Sequence, residues 1–105
     1  MNETKKINKD NPYFYETKLI PINDSRASFY GKARVRTEED KLVLISYNTK
    51  VAEIDFENNE AIVFDTYSKT TLRHIKEFLL QNGFKAENKK QILEDYGKWK
   101  NEENK

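Results

Sequence analysis

The chain has 105 residues, 36% hydrophobic and 35% charged, which is enough for one hydrophobic core and too few for two ordinary domains. Its formal net charge is +1, from 19 basic and 18 acidic residues, which excludes a global attraction to nucleic acid or anionic lipid. It contains no cysteine, which excludes a disulfide framework, a thiolate nucleophile and a thiolate metal site.

The distribution of polar residues predicts one domain with two tails. Residues 1–11 are polar and lack periodicity, so we expect a flexible arm. A single folded domain is predicted for residues 12–99 and a disordered tail for residues 100–105. The longest strictly apolar run, Leu42 to Ile45, is far shorter than a membrane-spanning segment. We therefore expect a soluble cytoplasmic protein.

Alternation of apolar and polar side chains predicts a series of short β-strands before the first helix. The predicted strands span, in chain order, residues 18–22, 31–36, 41–47, 49–54 and 60–65. Pro21 restricts the first strand to a sheet edge or a strand end, because proline has no N–H to donate. The third strand is apolar at successive positions, which indicates a central strand covered on both sides. Val51 and Ile54 are three residues apart, so we expect them to pack inward or to lie near a β-bulge.

Turn signals separate the predicted strands. Residues 37–40 form a polar loop, and Asn48 suits a tight turn because asparagine tolerates left-handed backbone. Residues 56–59 are predicted to form the last hairpin loop, with Asn58 and Asn59 at its tip. Consecutive short strands joined by short loops predict an antiparallel meander.

Two helices are predicted after the strands. Ser68 or Thr70 can cap the first helix, and Gly83 ends it as a left-handed residue. Its apolar stripe consists of Leu72, Ile75, Phe78 and Leu79. The second helix is predicted from about Lys89 to Trp99. The fold class is therefore α+β, an antiparallel sheet of three to five strands packed with one or two C-terminal helices.

Basic residues and one tyrosine form the predicted partner-binding surface. Residues 53–65 contain five acids and no base, whereas basic residues lie on the second predicted strand and at the start of the first helix. This distribution predicts a molecule with polarised charge. The predicted partner-binding residues are Lys32, Arg34, Arg36, Tyr47, Lys69, Thr70, Arg73 and His74.

Catalytic and metal chemistry have little support in the sequence. His74, the single histidine, lies beside Arg73 near a helix N-terminus, where an anion could bind. Serine and threonine capping accounts for this segment without a ligand, so we expect an ordinary capped helix with a solvated or core-edge histidine. The carboxylates of residues 53–65 could hold Mg²⁺, but a solvated face is the simpler interpretation. We expect no catalytic residue, no cofactor and no metal site.

Two segments resemble a family of small phage and prophage proteins, itself a domain of unknown function. They are LISYNTKVAEI at residues 44–54 and YSKTTLRHIKEFLLQ at residues 67–81, and the resemblance runs from about Phe29 to Phe84. It implies a virus of Gram-positive-type bacteria as the source. It also implies, by analogy of genome context, a small accessory protein that binds a host protein, such as a CRISPR-type nuclease.

The leading hypothesis is a non-enzymatic inhibitor of a host defence protein, in the host cytoplasm, as a monomer or a homodimer. Two alternatives stay open. The first is a nucleic-acid-binding protein that uses the same basic residues. The second is a small phosphoester-processing enzyme that uses His74 and Arg73.

Overall fold

The protein folds as a five-stranded sheet with two C-terminal helices in a computed structural model that describes residues 15–24, 32–64 and 68–98. The elements are β1 Tyr15–Lys18, β2 Ala33–Glu38, β3 Lys41–Ser46, β4 Thr49–Asp55, β5 Glu60–Val63, α1 Lys69–Gln81 and α2 Lys89–Tyr96. The strands lie in the order β1-β2-β3-β4-β5, each antiparallel to its neighbours. The predicted α+β meander is therefore confirmed. The predicted arm 1–11 and tail 100–105 lie outside the described residues.

β1 begins earlier than the sequence predicts. Tyr15 to Lys18 pair with Thr37 to Arg34 of β2, and the Leu19 N–H donates to the Ala33 carbonyl at 2.9 Å. The predicted strand over residues 18–22 is wrong in its bounds, because the pairing with β2 ends at Lys18 and the Leu19 N–H, two residues before Pro21. The predicted loop over residues 37–40 is also too long, since β2 continues to Glu38.

β3 is the central strand, as predicted, and its pairing with β4 contains the predicted bulge. Leu44 pairs with Ala52, but Ile45 pairs with Lys50, so Val51 is one extra residue in β4. Val51 and Ala52 are both buried in the core. The bulge explains how two neighbouring residues of one strand can both point inward.

The described helices cover one face of the sheet. α1 packs against β3 and β4, and α2 packs against β5. The core between these layers is built mainly from Leu44, Val51, Ile54, Val63, Ile75, Phe78, Leu79 and Ile92. On the opposite face, Val43 and Ile45 are buried beside charged residues of the neighbouring strands, rather than under a described helix. No helix in the described part of the chain is long and apolar enough to cross a membrane.

Both helices begin at side-chain caps. The Ser68 Oγ accepts from the Thr71 N–H at 3.1 Å, which confirms the predicted cap of α1. The Asn88 Oδ1 accepts from the Gln91 N–H at 2.9 Å at the start of α2. α2 ends at Tyr96, before the predicted end at Trp99, which lies outside the described residues.

Gly83 ends α1 in the left-handed conformation that the sequence predicts. Its φ is 85°, and the next N–H, of Phe84, donates to the Leu79 carbonyl at 2.9 Å. This hydrogen bond closes a Schellman-type end of the helix, for which glycine is favoured because it has no Cβ.

We expect Gly83→Ala to lower the free energy of unfolding by about 1 kcal/mol. The position that a Cβ would occupy has no other atom within 4 Å, so the loss comes from the backbone conformation alone. Urea unfolding followed by circular dichroism measures it. Gly83→Asn should recover part of the loss, because asparagine tolerates this conformation. Equal stability of Gly83→Ala and wild type would contradict the prediction.

Candidate partner-binding site

The two arginines on the predicted basic face of the second strand share one acid from β1. Arg34 and Arg36 lie on the sheet face away from the helices, directly beside β1. The Glu16 carboxylate lies 2.7 Å from Arg34 Nη1 and 3.7 Å from Arg36 Nε. The face that the sequence predicts to be basic therefore carries ion pairs with an acid that the sequence analysis did not place there. The reason is that the sequence did not predict a strand containing Glu16.

Two acids of the predicted acidic segment, residues 53–65, have different roles: one forms ion pairs and the other stabilises a turn. Glu53 pairs with Lys41 at 3.6 Å and with Lys50 at 3.2 Å. The Asp55 carboxylate accepts hydrogen bonds from the backbone and side chain of Asn58, and the side-chain bond is the main reason why the pKa of Asp55 is lowered. Within residues 15–24, 32–64 and 68–98, no three acids or histidines come close enough to hold a metal ion.

His74 lies in the core and belongs to a chain of polar side chains. Its Nδ1 is 2.8 Å from the Ser46 Oγ, which is 3.1 Å from the Thr71 Oγ1. The Ser68 Oγ donates to the Thr71 Oγ1 at 3.3 Å and completes the chain. These groups tie the end of β3 to the first turn of α1.

The pairing of Ser46 with His74 has the residue types of a nucleophile and its base, but both side chains are enclosed. Ser46 is 2% exposed and His74 has no exposed surface, so a substrate has no access to the serine oxygen in this structure. His74 was predicted to contact a partner, but its side chain is buried and cannot do so in this structure. In this conformation, the hydrogen bonds between these side chains hold the turn that follows Ser46 in place.

That turn consists of Tyr47 and Asn48, and its backbone is strained. Tyr47 has a φ of 62° and Asn48 a φ of 148°. The predicted positive φ at Asn48 is confirmed, and the structure adds a left-handed residue at Tyr47 that the sequence did not predict. A residue with a bulky side chain loses about 1–2 kcal/mol of folding free energy in this conformation. The Tyr47 N–H donates to the Lys32 carbonyl at 2.8 Å, and its ring centroid lies 5.8 Å from that of His74.

Three of the predicted partner-binding residues belong to this turn or to segments that hydrogen bonds join to it. Tyr47 is 46% exposed, and Lys32 is bonded to it through the backbone. Lys69 is exposed in the first turn of α1, which the polar chain holds against the end of β3. Neither lysine forms an ion pair with another described residue. We call Lys32, Tyr47, Asn48 and Lys69 the turn surface.

The other predicted residues lie at its border or away from it. Thr70 and Arg73 are half-buried in the first part of α1, and the Arg73 Nε lies 3.9 Å from an oxygen of Asp24. Arg34 reaches the border, because its Nη2 donates to the Asn48 Oδ1 at 3.0 Å. Arg36 lies farther along β2, on the sheet face opposite the helices.

Glu77 is a buried acid that the sequence analysis missed. Its carboxylate accepts from the Ile22 N–H at 2.8 Å, from the Asn23 N–H at 3.0 Å and from the Gln81 side chain at 2.6 Å. Burial raises the pKa of Glu77, but the hydrogen bonds outweigh burial and the net pKa is lowered from its ordinary value of 4.5. Ile22 and Asn23 lie more than fifty residues from Glu77 in the chain, so no local pattern could indicate these two contacts.

A groove lies between the C-terminal end of α1 and the β1 side of the sheet. Its volume is about 490 Å³. Its walls include Tyr15, Leu19, Ile22, Val35, Leu42 and Gln81. We call it the β1 groove. α1 and α2 pack mainly on β3 to β5, and the groove lies beside them against β1 and β2.

Comparison with known proteins identifies the family but not an activity. The family model described as a family of unknown function, DUF8033, matches residues 17–95. The chain belongs to DUF8033. The matched range reaches from the end of β1 into the last turn of α2, so it is wider than the resemblance from Phe29 to Phe84. No curated protein and no solved structure matches the chain.

Proposed function

We propose that this DUF8033 member is a non-enzymatic protein-binding module that contacts its partner through the turn surface. The strained and exposed Tyr47 carries the proposal. A bulky residue in left-handed backbone lowers stability, and such strain occurs preferentially at functional sites. Glycine or asparagine would relieve the strain here, so selection for stability alone does not account for a tyrosine.

The chemistry of the turn surface favours an acidic protein partner. Tyrosine supplies a large contact area with few rotatable bonds, which is why it is enriched at binding hot spots. Lys32 and Lys69 add two exposed positive charges beside it. The two lysines would attract an acidic surface as the proteins approach each other and would orient it in the complex.

The proposal also specifies the origin of the protein and the kind of partner that it binds. We propose a phage-type accessory protein that inhibits a bacterial host protein in the host cytoplasm, with a defence nuclease as the leading candidate. Its support is the resemblance of residues 44–54 and 67–81, which include Tyr47 and Lys69. Membership in DUF8033 supports no particular activity, because the function of that family is unknown.

Nucleic-acid binding is the second candidate, because Tyr47 could stack on a base while the two lysines contact phosphates. Two observations make it weaker. Arg34 and Arg36 already share the Glu16 carboxylate, and the formal net charge is only +1. A phosphoester-processing enzyme has the least support, because His74 would have to leave the core to act.

We expect Tyr47→Gly to reduce partner capture by about tenfold or more while stability is kept or raised by up to about 1 kcal/mol. Glycine removes the contact area and relieves the left-handed strain, so binding and stability change independently. Affinity capture from host-cell lysate, followed by mass spectrometry and titration of the captured protein, measures binding. Urea unfolding measures stability.

Two controls accompany this variant. Phe56 is 52% exposed in the β4–β5 turn, so Phe56→Gly removes a similar aromatic surface elsewhere. Lys69→Glu should also weaken capture, whereas Lys90→Glu makes the same change of charge on α2 and should not. Retained capture by Tyr47→Gly would contradict the turn surface as the binding site. Binding of labelled DNA or RNA at low salt, lost in the same variant, would favour the nucleic-acid candidate.

A further inference from the structure

The sheet face opposite the helices carries a line of basic side chains that crosses the strands. Residues directly opposite each other on neighbouring strands share one face of the sheet, so the strand pairing defines this line. Its members from β1 to β4 are Lys18, Arg34, Ile45 and Lys50, each paired with the next. Beyond β4, Lys50 Nζ lies 5.2 Å and Lys98 Nζ 6.0 Å from the centre of the Phe64 ring. We call Lys18, Arg34, Lys50 and Lys98 the basic row.

Acids become more frequent along the strands away from the basic row. The next line of paired residues on this face consists of Glu16, Arg36, Val43, Glu53 and Ile62. The line after it consists of Glu38, Lys41, Asp55 and Glu60. The basic row itself contains no acid. The positive charge of this face is therefore concentrated at the end of the sheet that carries the β3–β4 turn.

The basic row is continuous with the turn surface. The Arg34 Nη2 donates to the Asn48 Oδ1 at 3.0 Å, which joins the two directly. Ile45 and Lys50 are the last outward-facing pair before the turn, because the buried Ser46 and Thr49 form the pair that follows. Three members of the row, Lys18, Lys50 and Lys98, are exposed. A partner that covers Tyr47 would therefore lie beside three accessible positive charges.

The charges next to the row favour a protein segment over a nucleic acid. The Glu16 carboxylate lies 2.7 Å from Arg34 Nη1, and the Glu53 carboxylate lies 3.2 Å from Lys50 Nζ. A nucleic-acid backbone is negative along its whole length, so these two acids would repel phosphates bound at the row. A protein can instead place carboxylates over the row and neutral or basic side chains over the acids.

We propose that the basic row is part of the partner interface and binds a protein segment that carries carboxylates opposite the row and neutral or basic side chains opposite Glu16 and Glu53. The inference rests on the proposed function, because it extends the interface from the turn surface across the sheet. It adds the charge pattern that the bound segment of the partner must have.

Selection from displayed random peptides tests this pattern. We expect the full-length protein to select peptides rich in aspartate or glutamate, and their affinity should fall as salt is added because the row is exposed. Titration of fluorescent copies of these peptides should show about tenfold weaker binding to Lys18→Glu and to Lys50→Glu. Selection against a variant with both substitutions should no longer favour acidic peptides. Lys90→Glu, on α2, is the matched control and should bind like wild type.

A second variant keeps the test independent of folding. Lys50→Glu places a new acid beside Glu53, so it is accompanied by Lys50→Gln, which removes the positive charge without adding a negative one. Circular dichroism should show that both are folded, and Lys50→Gln should weaken peptide binding by a smaller factor in the same direction. Selected peptides without excess acid, or peptides indifferent to Lys18 and Lys50, would overturn the inference. So would a fluorescent oligothymidylate that displaces the peptides at physiological salt, which would assign the row to nucleic acid.

The measurements distinguish this inference from the proposed function. Normal peptide binding by Lys18→Glu and Lys50→Glu would overturn the basic row, while loss of partner capture by Tyr47→Gly would still support the turn surface. The opposite result, with weakened peptide binding by the two lysine variants and full capture by Tyr47→Gly, would remove the turn surface and support the basic row as the binding surface.

Discussion

Glu77→Ala is expected to lower the free energy of unfolding by about 2–4 kcal/mol and the Tm by about 10 °C or more. The substitution leaves the backbone N–H groups of Ile22 and Asn23 without their carboxylate acceptor. A buried donor that loses its partner costs about 1–3 kcal/mol, and hydrogen bonds to a charged group are the stronger kind. Chemical and thermal unfolding measure the two quantities.

The same carboxylate predicts how stability depends on pH. The pKa of Glu77 is lower in the folded protein than its ordinary value of 4.5, so the folded state favours the ionised form. Its contribution is therefore complete above the pKa of the unfolded chain and is lost as pH falls through the folded-state pKa. The stability difference between wild type and Glu77→Gln should be constant near neutral pH and shrink below about pH 4.5.

Glu94→Ala is the matched control for this prediction. Glu94 is an exposed acid on α2, and it forms an ion pair with Lys90 at 3.8 Å. Exposed pairs of this kind contribute about 0.3–0.5 kcal/mol, so the control should unfold almost like wild type. A Glu77→Ala variant as stable as Glu94→Ala would show that the loop at Ile22 and Asn23 does not depend on the carboxylate.

His74→Ala and Ser46→Ala test whether the buried polar chain supports the fold. We expect a loss of about 2–4 kcal/mol for His74→Ala, because it removes a fully buried ring together with a hydrogen bond. Ser46→Ala should cost about 1–3 kcal/mol, because it takes the partner oxygen from both His74 and Thr71. The double variant should show coupling of about 1 kcal/mol, since the two side chains are in direct contact.

The control for these variants is Thr49→Ala, at an exposed position just beyond the same turn, which should change stability by less than about 0.5 kcal/mol. Under conditions where His74→Ala remains folded, we expect it to capture the partner, because the wild-type side chain has no exposed surface. Loss of capture by a folded His74→Ala variant would indicate that the histidine takes part in function. It would then favour the phosphoester-processing alternative.

Local patterns predicted much of this fold. The apolar run in β3 indicated the central strand, and the three-residue spacing from Val51 to Ile54 indicated a bulge. Ser68 and Gly83 indicated both ends of α1. These features are set by neighbouring residues, because alternation, capping and left-handed glycine depend on the backbone within a few positions.

The location of β1 required longer-range information. Its alternation is short and includes charged residues, and Pro21 drew the prediction toward the following segment. Pairing with β2 determines the strand, and that pairing brings Glu16 beside Arg34 and Arg36. The charge of the sheet face was therefore misjudged for the same reason.

The candidate sites show the same division between local and long-range causes. Tyr47 and the lysines could be named from residue type, but only the folded chain shows the strained turn that presents the tyrosine. The burial of His74, the hydrogen bonds of Glu77 and the β1 groove all depend on segments distant in the chain. By itself the sequence determined the meander from β2 to β5 and both ends of α1, since these follow from local backbone preferences. Tertiary structure alone decided which side chains are enclosed, paired or open to a partner, because burial and charge pairing depend on residues that meet only after folding.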